Sequence, residues 1–408
     1  MRTIYSGGLV FDSIRGRFEV TDIAVSDGLI AEVGSGLQGD TTVDLGGLFV
    51  VPGLIDCHVH INAWTPALIE RSTMPFSYQF YAGARNLALT LASGVTTVRD
   101  AGGADAGLKK AIEAGLVIGP DVVLSINAIG TTGGHTDPWK RAGAPIFHWM
   151  PHPGRPHVVA DGAEEMRKVA RLLFRAGADW LKVCTSGGVM SPEDDPHHSY
   201  LHEEEVEALV AEASIRDTWV MSHAQGREGI RAAVLGGVRS IEHGTFLDEE
   251  LAQLMVERNV WLVPTLSVTR AIVSGYESGT VAIGEASYRK ALAAVEAGMN
   301  AVRVAEAAGV KIAMGTDAGV GAHGEALTEL DLLAEAGLAP ERVWQTATSS
   351  AAEMLGLEAS RGTIRAGAVA SFAAFAGEPS DFGDLKSRIR EVVHHGDRVA
   401  ERLSATIG

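Results

Sequence analysis

The sequence predicts an α/β protein: a (β/α)8 TIM barrel with a small β-sandwich domain formed by the N- and C-terminal segments. Three observations lead there. From about residue 54 to 356, short apolar runs alternate with helical stretches, the rhythm of repeated βα units on a parallel sheet. Eight such units occur, the number that closes a barrel. The two ends have another rhythm, short strands divided by Gly and Asp turns, so they are expected to pair with each other.

At the N-terminal end, GGLVFD, RFEVTDIAVSDGLIAEVG and TTVDLGGLFVVPG read as antiparallel strands joined by tight turns. The barrel strands are LIDCHVH, GVTTVRDAG, DVVLSINAI, ADWLKVCTS, TWVMSHAQG, RSIEHGT, VWLVPTL and VKIAMGTDAG. Among the helices, AEEMRKVARLLFRAG carries its carboxylates early and Gly177 at its end, as the helix dipole and a left-handed final turn prefer. HEEEVEALVAEAS and EELAQLMVERN follow the same logic. Strand rhythm returns in GTIRAGAVASFAAFAG and IREVVHHGDRV, where His394 and His395 are expected at the surface. The domains are therefore 1–53 with 357–408, and 54–356. An open doubly wound sheet is the competing architecture, but no GxGxxG follows the first strand.

A chain of 408 residues suffices for one large barrel plus an appended domain. The net charge of −17 argues against nucleic acid or an anionic membrane as partner. It does not argue against an anionic small molecule, because a bound metal can dominate a site's local field. The opening MRTIYSGGLVFD lacks the basic and apolar regions of a signal peptide, and no apolar run is long enough to span a bilayer. Cys57 and Cys184 are too few for a disulfide scaffold. A cytoplasmic enzyme acting on a small molecule is the expectation.

Polar residues collect where barrel strands end. His58 and His60 close the first strand, Lys182 sits in the fourth, and His223, His243 and Asp317 end the fifth, sixth and eighth. All barrel strands end at one mouth, so these groups converge although they are far apart in sequence. His58 and His60 are two apart and leave the same face of a strand, so both can grip one ion. Neutral imidazoles and a carboxylate suit zinc or a similar divalent cation. Singly, each histidine has a blander reading as a hydrogen-bonded structural group, Lys182 as a salt-bridged lysine and Asp317 as a helix cap. Jointly, those readings require six independent accidents at one mouth.

These residues carry a resemblance. PGLIDCHVH is similar to the amidohydrolase-superfamily signature PGxIDxHxH, and GVTTVRDAGG, the lysine of LKVCTSGG, SHAQGREGI, SIEHG and GTDAG resemble the family's further blocks. The likeness spans nearly the whole chain and is strongest toward the imidazolonepropionase-like and prolidase-type (Xaa-Pro dipeptidase-like) branch. One departure lies late in the small domain, where Ala370-Ser371 stands in place of the usual Ala-Asp. The resemblance implies a binuclear zinc site with Lys182 carboxylated by CO2 as the bridge. His58, His60 and Asp317 then hold the more buried metal, and His223 with His243 the outer one. Modification makes physical sense of the lysine, since a protonated ammonium has no lone pair to offer a metal. A mononuclear site with unmodified lysine is the alternative.

The expected reaction is hydrolysis of a C–N bond in a dipeptide or N-acyl amino acid. A metal-bridging hydroxide attacks the carbonyl, and Asp317 and His243 are the catalytic residues, Asp317 passing a proton to the leaving amine. Amidase, carbamate or cyclic-amide hydrolysis of an aromatic N-acyl substrate is the alternative, and a non-catalytic ligand-binding barrel a further one. Substrate contacts are assigned to loop residues: His135 in a GGH block similar to that of the prolidase branch, Arg227 for a substrate carboxylate, Tyr200 in DPHHSYLHEEE beside His197, His198 and His202, and His323 in GVGAHGEAL. Each has the competing reading of a solvated loop side chain. Trp64, Trp139 and Tyr276 are candidates to line an apolar pocket. Homo-oligomers are common among such relatives, so one is expected here.

Overall fold

A terminal sheet forms before the barrel begins. The computed structural model describes residues 1–189, 194–281 and 283–407, with side chains as far as Leu403; Gly408, the last residue assigned to the small domain, lies outside them. The first strands are β1 (Arg2–Asp12), β2 (Arg17–Ser26), β3 (Leu29–Gly34), β4 (Thr41–Asp44) and β5 (Leu48–Pro52). The chain then enters the barrel with β6 (Leu54–Val59), β7 (Val95–Asp100) and β8 (Asp121–Leu124), parallel and adjacent. A second parallel run holds β9 (Ala128–Ile129), β10 (Leu181–Cys184), β11 (Val220–Ala224), β12 (Ser240–His243) and β13 (Trp261–Val263).

Two seams close the circuit. The N–H groups of Asp179 and Trp180 donate to the Leu124 carbonyl at 2.7 and 3.0 Å, bringing the entry to β10 against the end of β8. The eighth strand, expected in VKIAMGTDAG, is inserted between the seventh and the first. Leu262 N–H donates to Lys311 O at 2.9 Å on one side, and His60 N–H to Ala318 O at 2.7 Å on the other. β8 and β9 together are the third expected strand, interrupted where Ile126 turns left-handed at φ 67°. Helices cover the outside, among them Gly162–Ala176, Glu203–Ser214 and Glu249–Glu257. The first of these buries Met166, Val169, Ala170 and Leu173, spaced three or four apart so that they share one face, and ends on Gly177 at φ 100°.

The chain returns to the first sheet with β14 (Phe372–Ala376), β15 (Ile389–His394) and β16 (Asp397–Arg398). β14 pairs antiparallel with β5, which joins both termini into eight strands. The sandwich strands are continuously paired, because β1 takes β4 along its first half and β5 along its second. Tyr5, Ile23, Val25, Phe372 and Val393 form the small domain's own core. Phe49 and Phe375 stack at 5.3 Å and pack with Trp344 to join it to the barrel. One expectation is corrected here. His394 is buried, 2 % exposed, because β15 lies between β14 and β16, and its Nδ1 meets Ser371 Oγ at 3.1 Å. His395 alone is exposed. Among the described residues, no helix is long and apolar enough to cross a membrane.

Candidate active site

The C-terminal ends of the barrel strands bring the six expected groups together. His58 and His60 leave the end of β6 on one face, their rings 5.4 Å apart. Asp317 follows the eighth strand and sets its Oδ1 3.2 Å from His60 Nε2 and 3.6 Å from His58 Nε2. The ligand atoms of these three residues all lie within 4.8 Å of one another. From β12, the His243 ring lies 5.1 Å from that of His58, and from β11 the His223 ring lies 4.6 Å from that of His243. Lys182 of β10 completes the set, and all six side chains line one cavity of about 780 Å³.

Their orientation is set by partners behind them. His58 Nδ1 donates to Glu242 Oε2 at 2.7 Å, and Glu242 also accepts from Arg99 Nη2 at 2.8 Å and Ser240 Oγ at 2.5 Å. His60 Nδ1 donates to the Gly102 carbonyl at 2.8 Å, and His223 Nε2 to the Gly187 carbonyl at 3.0 Å. Carbonyls and carboxylates can only accept, so these contacts fix which ring nitrogen carries hydrogen. They leave His58 Nε2 and His60 Nε2 as lone pairs facing Asp317. Asp317 Oδ1 is buried and takes a well-directed hydrogen bond from neither ring. Three electron-pair donors converging this closely repel one another unless a cation stands among them. The donor set therefore fits a divalent metal, and the ring–carboxylate contact behind His58 is the arrangement that orients a metal-binding histidine.

Burial pushes the pKa values of His58, His223 and His243 well below the ordinary imidazole value, keeping them neutral and able to bind metal. Burial likewise lowers Lys182. For Asp317 burial acts upward, but its closeness to His60, His58 and Lys182 outweighs it and holds the carboxyl below its usual range. Asp56, raised to about 7 by burial, accepts from Thr316 Oγ1 at 2.6 Å and from His58 N–H at 3.1 Å, tying the first strand to the eighth. His243, Thr265 and Asp317 all adopt left-handed backbone, with φ of 71°, 51° and 58°. Such strain in non-glycine residues gathers where the fold over-determines a functional geometry.

The expected substrate residues separate into three groups. His135 lines the cavity, stacks on His223 at 4.4 Å and is bonded through Nδ1 to Asp194. Burial and then the nearby Asp194 carboxylate push the Tyr200 hydroxyl up to about 12, so Tyr200 flanks the acid that holds His135. His323 is buried under the mouth, with Nε2 3.2 Å from the His60 carbonyl and Nδ1 3.2 Å from Thr90 Oγ1; it supports His60 rather than lining the cavity. Arg227 is not brought to the cavity. It begins the helix Arg227–Leu235 and pairs with Asp248 and Glu250, acids that reach it from the next βα unit. Trp139 is exposed, Trp64 packs on Tyr78, and Tyr276 stacks on Tyr288, so none of the three lines the cavity. Trp149 does, its ring 5.1 Å from His60.

Sequence reasoning missed Glu242, Arg99, Asp194 and Trp149. A signal existed for the first two: charged residues inside otherwise apolar barrel strands must find one another. Gly188 explains part of the SGG block by close approach, since a Cβ there would stand 2.2 Å from His135 Cε1. Gly188→Ala is accordingly expected to push His135 off His223 and lower kcat/KM by roughly 100-fold, with little change in Tm. Steady-state kinetics beside a thermal melt checks this.

A barrel with metal-type donors at its mouth defines a class of hydrolase, and comparison with known proteins identifies its family. The profile of the Amidohydrolase family matches residues 49–399. Over 408 aligned residues the chain is 32 % identical to ochratoxinase of Aspergillus niger, covering 94 % of this chain and 82 % of that one. Among solved structures, a prolidase complexed with N-methylphosphonate-L-proline superposes with TM-score 0.88 at 32 % identity, covering 98 % and 99 % of the two chains. A Xaa-Pro dipeptidase with bound methionine in the active site gives TM-score 0.88 at 30 % identity, with the same coverage. The chain belongs to the amidohydrolase family. It is a hydrolase acting on carbon–nitrogen bonds.

Proposed function

We propose that this protein hydrolyses the amide bond of an N-acyl amino acid or dipeptide, using two divalent metal ions, zinc by the nature of the donors. One observation carries the proposal: four histidines, most with one ring nitrogen already committed to an acceptor, meet one carboxylate and one buried lysine on a single cavity. His58, His60 and Asp317 would hold one ion and His223 with His243 the other. Lys182 would serve both as a carbamate, formed when its neutral amine adds to CO2 and loses a proton. Burial that lowers the Lys182 pKa favours the reactive amine. When bound, the ions supply Lewis acidity at the carbonyl and a water of lowered pKa.

The chain's own groups carry the proton and hold the substrate. As the water oxygen adds to the carbonyl carbon, Asp317 accepts the proton. It returns that proton to the nitrogen as the C–N bond breaks, giving a carboxylate and an amine. His243 is kept in place by Thr265 Oγ1, 2.7 Å from its Nδ1. His135, braced by Asp194, is assigned to the scissile carbonyl oxygen. The likeness to ochratoxinase and to a prolidase supports an amide or peptide bond as target. The cavity volume is ample for a drug-sized ligand, which favours a bulky N-acyl group over a second small amino acid.

Metal analysis and a substrate panel test this reading. Protein purified with zinc and bicarbonate should hold two equivalents of metal, lose turnover to a chelator, and regain it with both additions. Lys182→Ala should retain fewer than two equivalents. Less than one equivalent, with no gain from zinc and bicarbonate, would favour a ligand-binding barrel instead. Turnover of carbamates or cyclic amides but not N-acyl amino acids or dipeptides would overturn the substrate class.

A further inference from the structure

Charge on the cavity wall is lopsided. Of the described residues lining it, Asp317 is the one acid, against Arg71, Lys140, Arg141, Arg155 and Lys182. This is a cationic pocket in a chain of net charge −17. The cations are not equivalent. Both terminal nitrogens of Arg155 are taken by the carbonyls of Met150 and Gly103 and by Gln79, although its Nε is unpartnered too. Lys140 and Arg141 stand in the loop at the rim. Arg71 differs from all of these. It is 8 % exposed, sits in the short helix Leu68–Thr73, and lies over the Trp149 ring at 4.8 Å. Its guanidinium has no ion pair or hydrogen bond among the described residues, and its Nε is buried without a partner.

A buried guanidinium with no counter-charge is expensive, and aromatic stacking offsets only part of that. Burial pulls its pKa down to about 10, so it remains charged at neutral pH. His148, also on the cavity wall, has a buried Nδ1 without a partner and feels the Arg71 charge. Arg71 and His148 thus each bring an unpartnered nitrogen to the cavity wall, and the Trp149 ring touches both Arg71 and His60. Another part of the wall is aliphatic, built from Val189, Val268, Ile272, Ile283 and Val320.

We propose that Arg71, backed by Trp149 and aided by His148, is the receptor for the substrate's carboxylate, while the aliphatic wall takes the apolar acyl group. A guanidinium offers the two parallel donors that match a carboxylate. The substrate class narrows to amides bearing a free carboxylate on the amine side and a bulky apolar acyl group. This inference rests on the amide-hydrolase reading but is tested separately, by binding.

The test uses the metal-loaded protein and two ligands that cannot be hydrolysed: N-benzyl-L-phenylalanine, and N-benzylphenethylamine, which lacks the carboxylate. Calorimetry should show the first binding roughly 10- to 100-fold tighter than the second. Arg71→Met should bring that ratio close to one, and Arg71→Lys to an intermediate value, because charge is kept but the fork is lost. Arg227→Ala should leave the ratio as it is. The Tm of Arg71→Met should equal or exceed that of the unaltered protein, since an uncompensated buried charge is removed. An unchanged ratio in Arg71→Met, or a lost preference accompanied by a fall in Tm, overturns the assignment. If the ratio behaves as expected but no amide in the panel is hydrolysed, the receptor stands and the catalytic reading fails.

Discussion

Asp317→Asn is expected to lower kcat/KM by roughly 10²–10⁴-fold, the range associated with losing a positioned proton carrier. The substitution isolates chemistry from folding. Asp317 sits at φ 58°, a left-handed conformation that Asn tolerates better than other non-glycine residues, so the backbone has no reason to move. Its carbonyl oxygen still faces His58 and His60, where Asp317 Oδ1 lies 3.6 and 3.2 Å from their Nε2 atoms. What disappears is the ability to take a proton from water and the negative charge beside two lone pairs. Metal content by elemental analysis should fall only in part, and the circular dichroism spectrum should be unchanged. Near-normal turnover at normal metal content would remove Asp317 from its role.

Glu242→Ala should damage both site and fold. Glu242 is wholly buried and shared by His58, Arg99 and Ser240. Its loss leaves Arg99, also wholly buried, with the Cys57 carbonyl, Ser240 Oγ and the face of Trp180 but no counter-charge. Breaking such a pair from one side costs about 3–5 kcal/mol. The same change frees the His58 ring to rotate or to move its hydrogen onto Nε2, the atom that faces Asp317. Metal affinity should therefore drop roughly 10–100-fold, as when a histidine's supporting partner is removed. Glu242→Gln keeps the volume but must turn its amide toward either His58 or Arg99, setting donor against donor. A melt and a metal titration on both variants check this; unchanged affinity in both would show that His58 is oriented by packing alone.

The two substitutions mark the line between what could and could not be read from residues. Asp317 was legible because it ends an apolar strand, and strand direction in a barrel sends every such ending to one mouth. The same rule found His58, His60, Lys182, His223 and His243. The bracing of His58 was not legible, because Arg99 and Glu242 are 143 residues apart and lie in strands that are not neighbours. Arg71 and Arg227 show the limit most directly. In sequence Arg227 follows the SHAQG block and Arg71 stands in the plain stretch ALIERST, so local context favours Arg227 for a substrate contact. Folding gives Arg227 two acids from the adjoining unit and leaves it outside the cavity, while it buries Arg71 against Trp149 without any. His394 makes the same point in the small domain, where a charged-looking HHGD turn conceals a histidine covered by strands on both sides.

Local periodicity and strand polarity, both written in adjacent residues, determined the barrel, the paired termini and the six side chains at the mouth. Tertiary structure alone decided which ring nitrogen stays free, which arginine is left without an anion, and which wall is apolar. The physical reason is range: backbone period acts over a few residues, whereas hydrogen-bond and charge partners are chosen by through-space contact between segments that the chain keeps far apart.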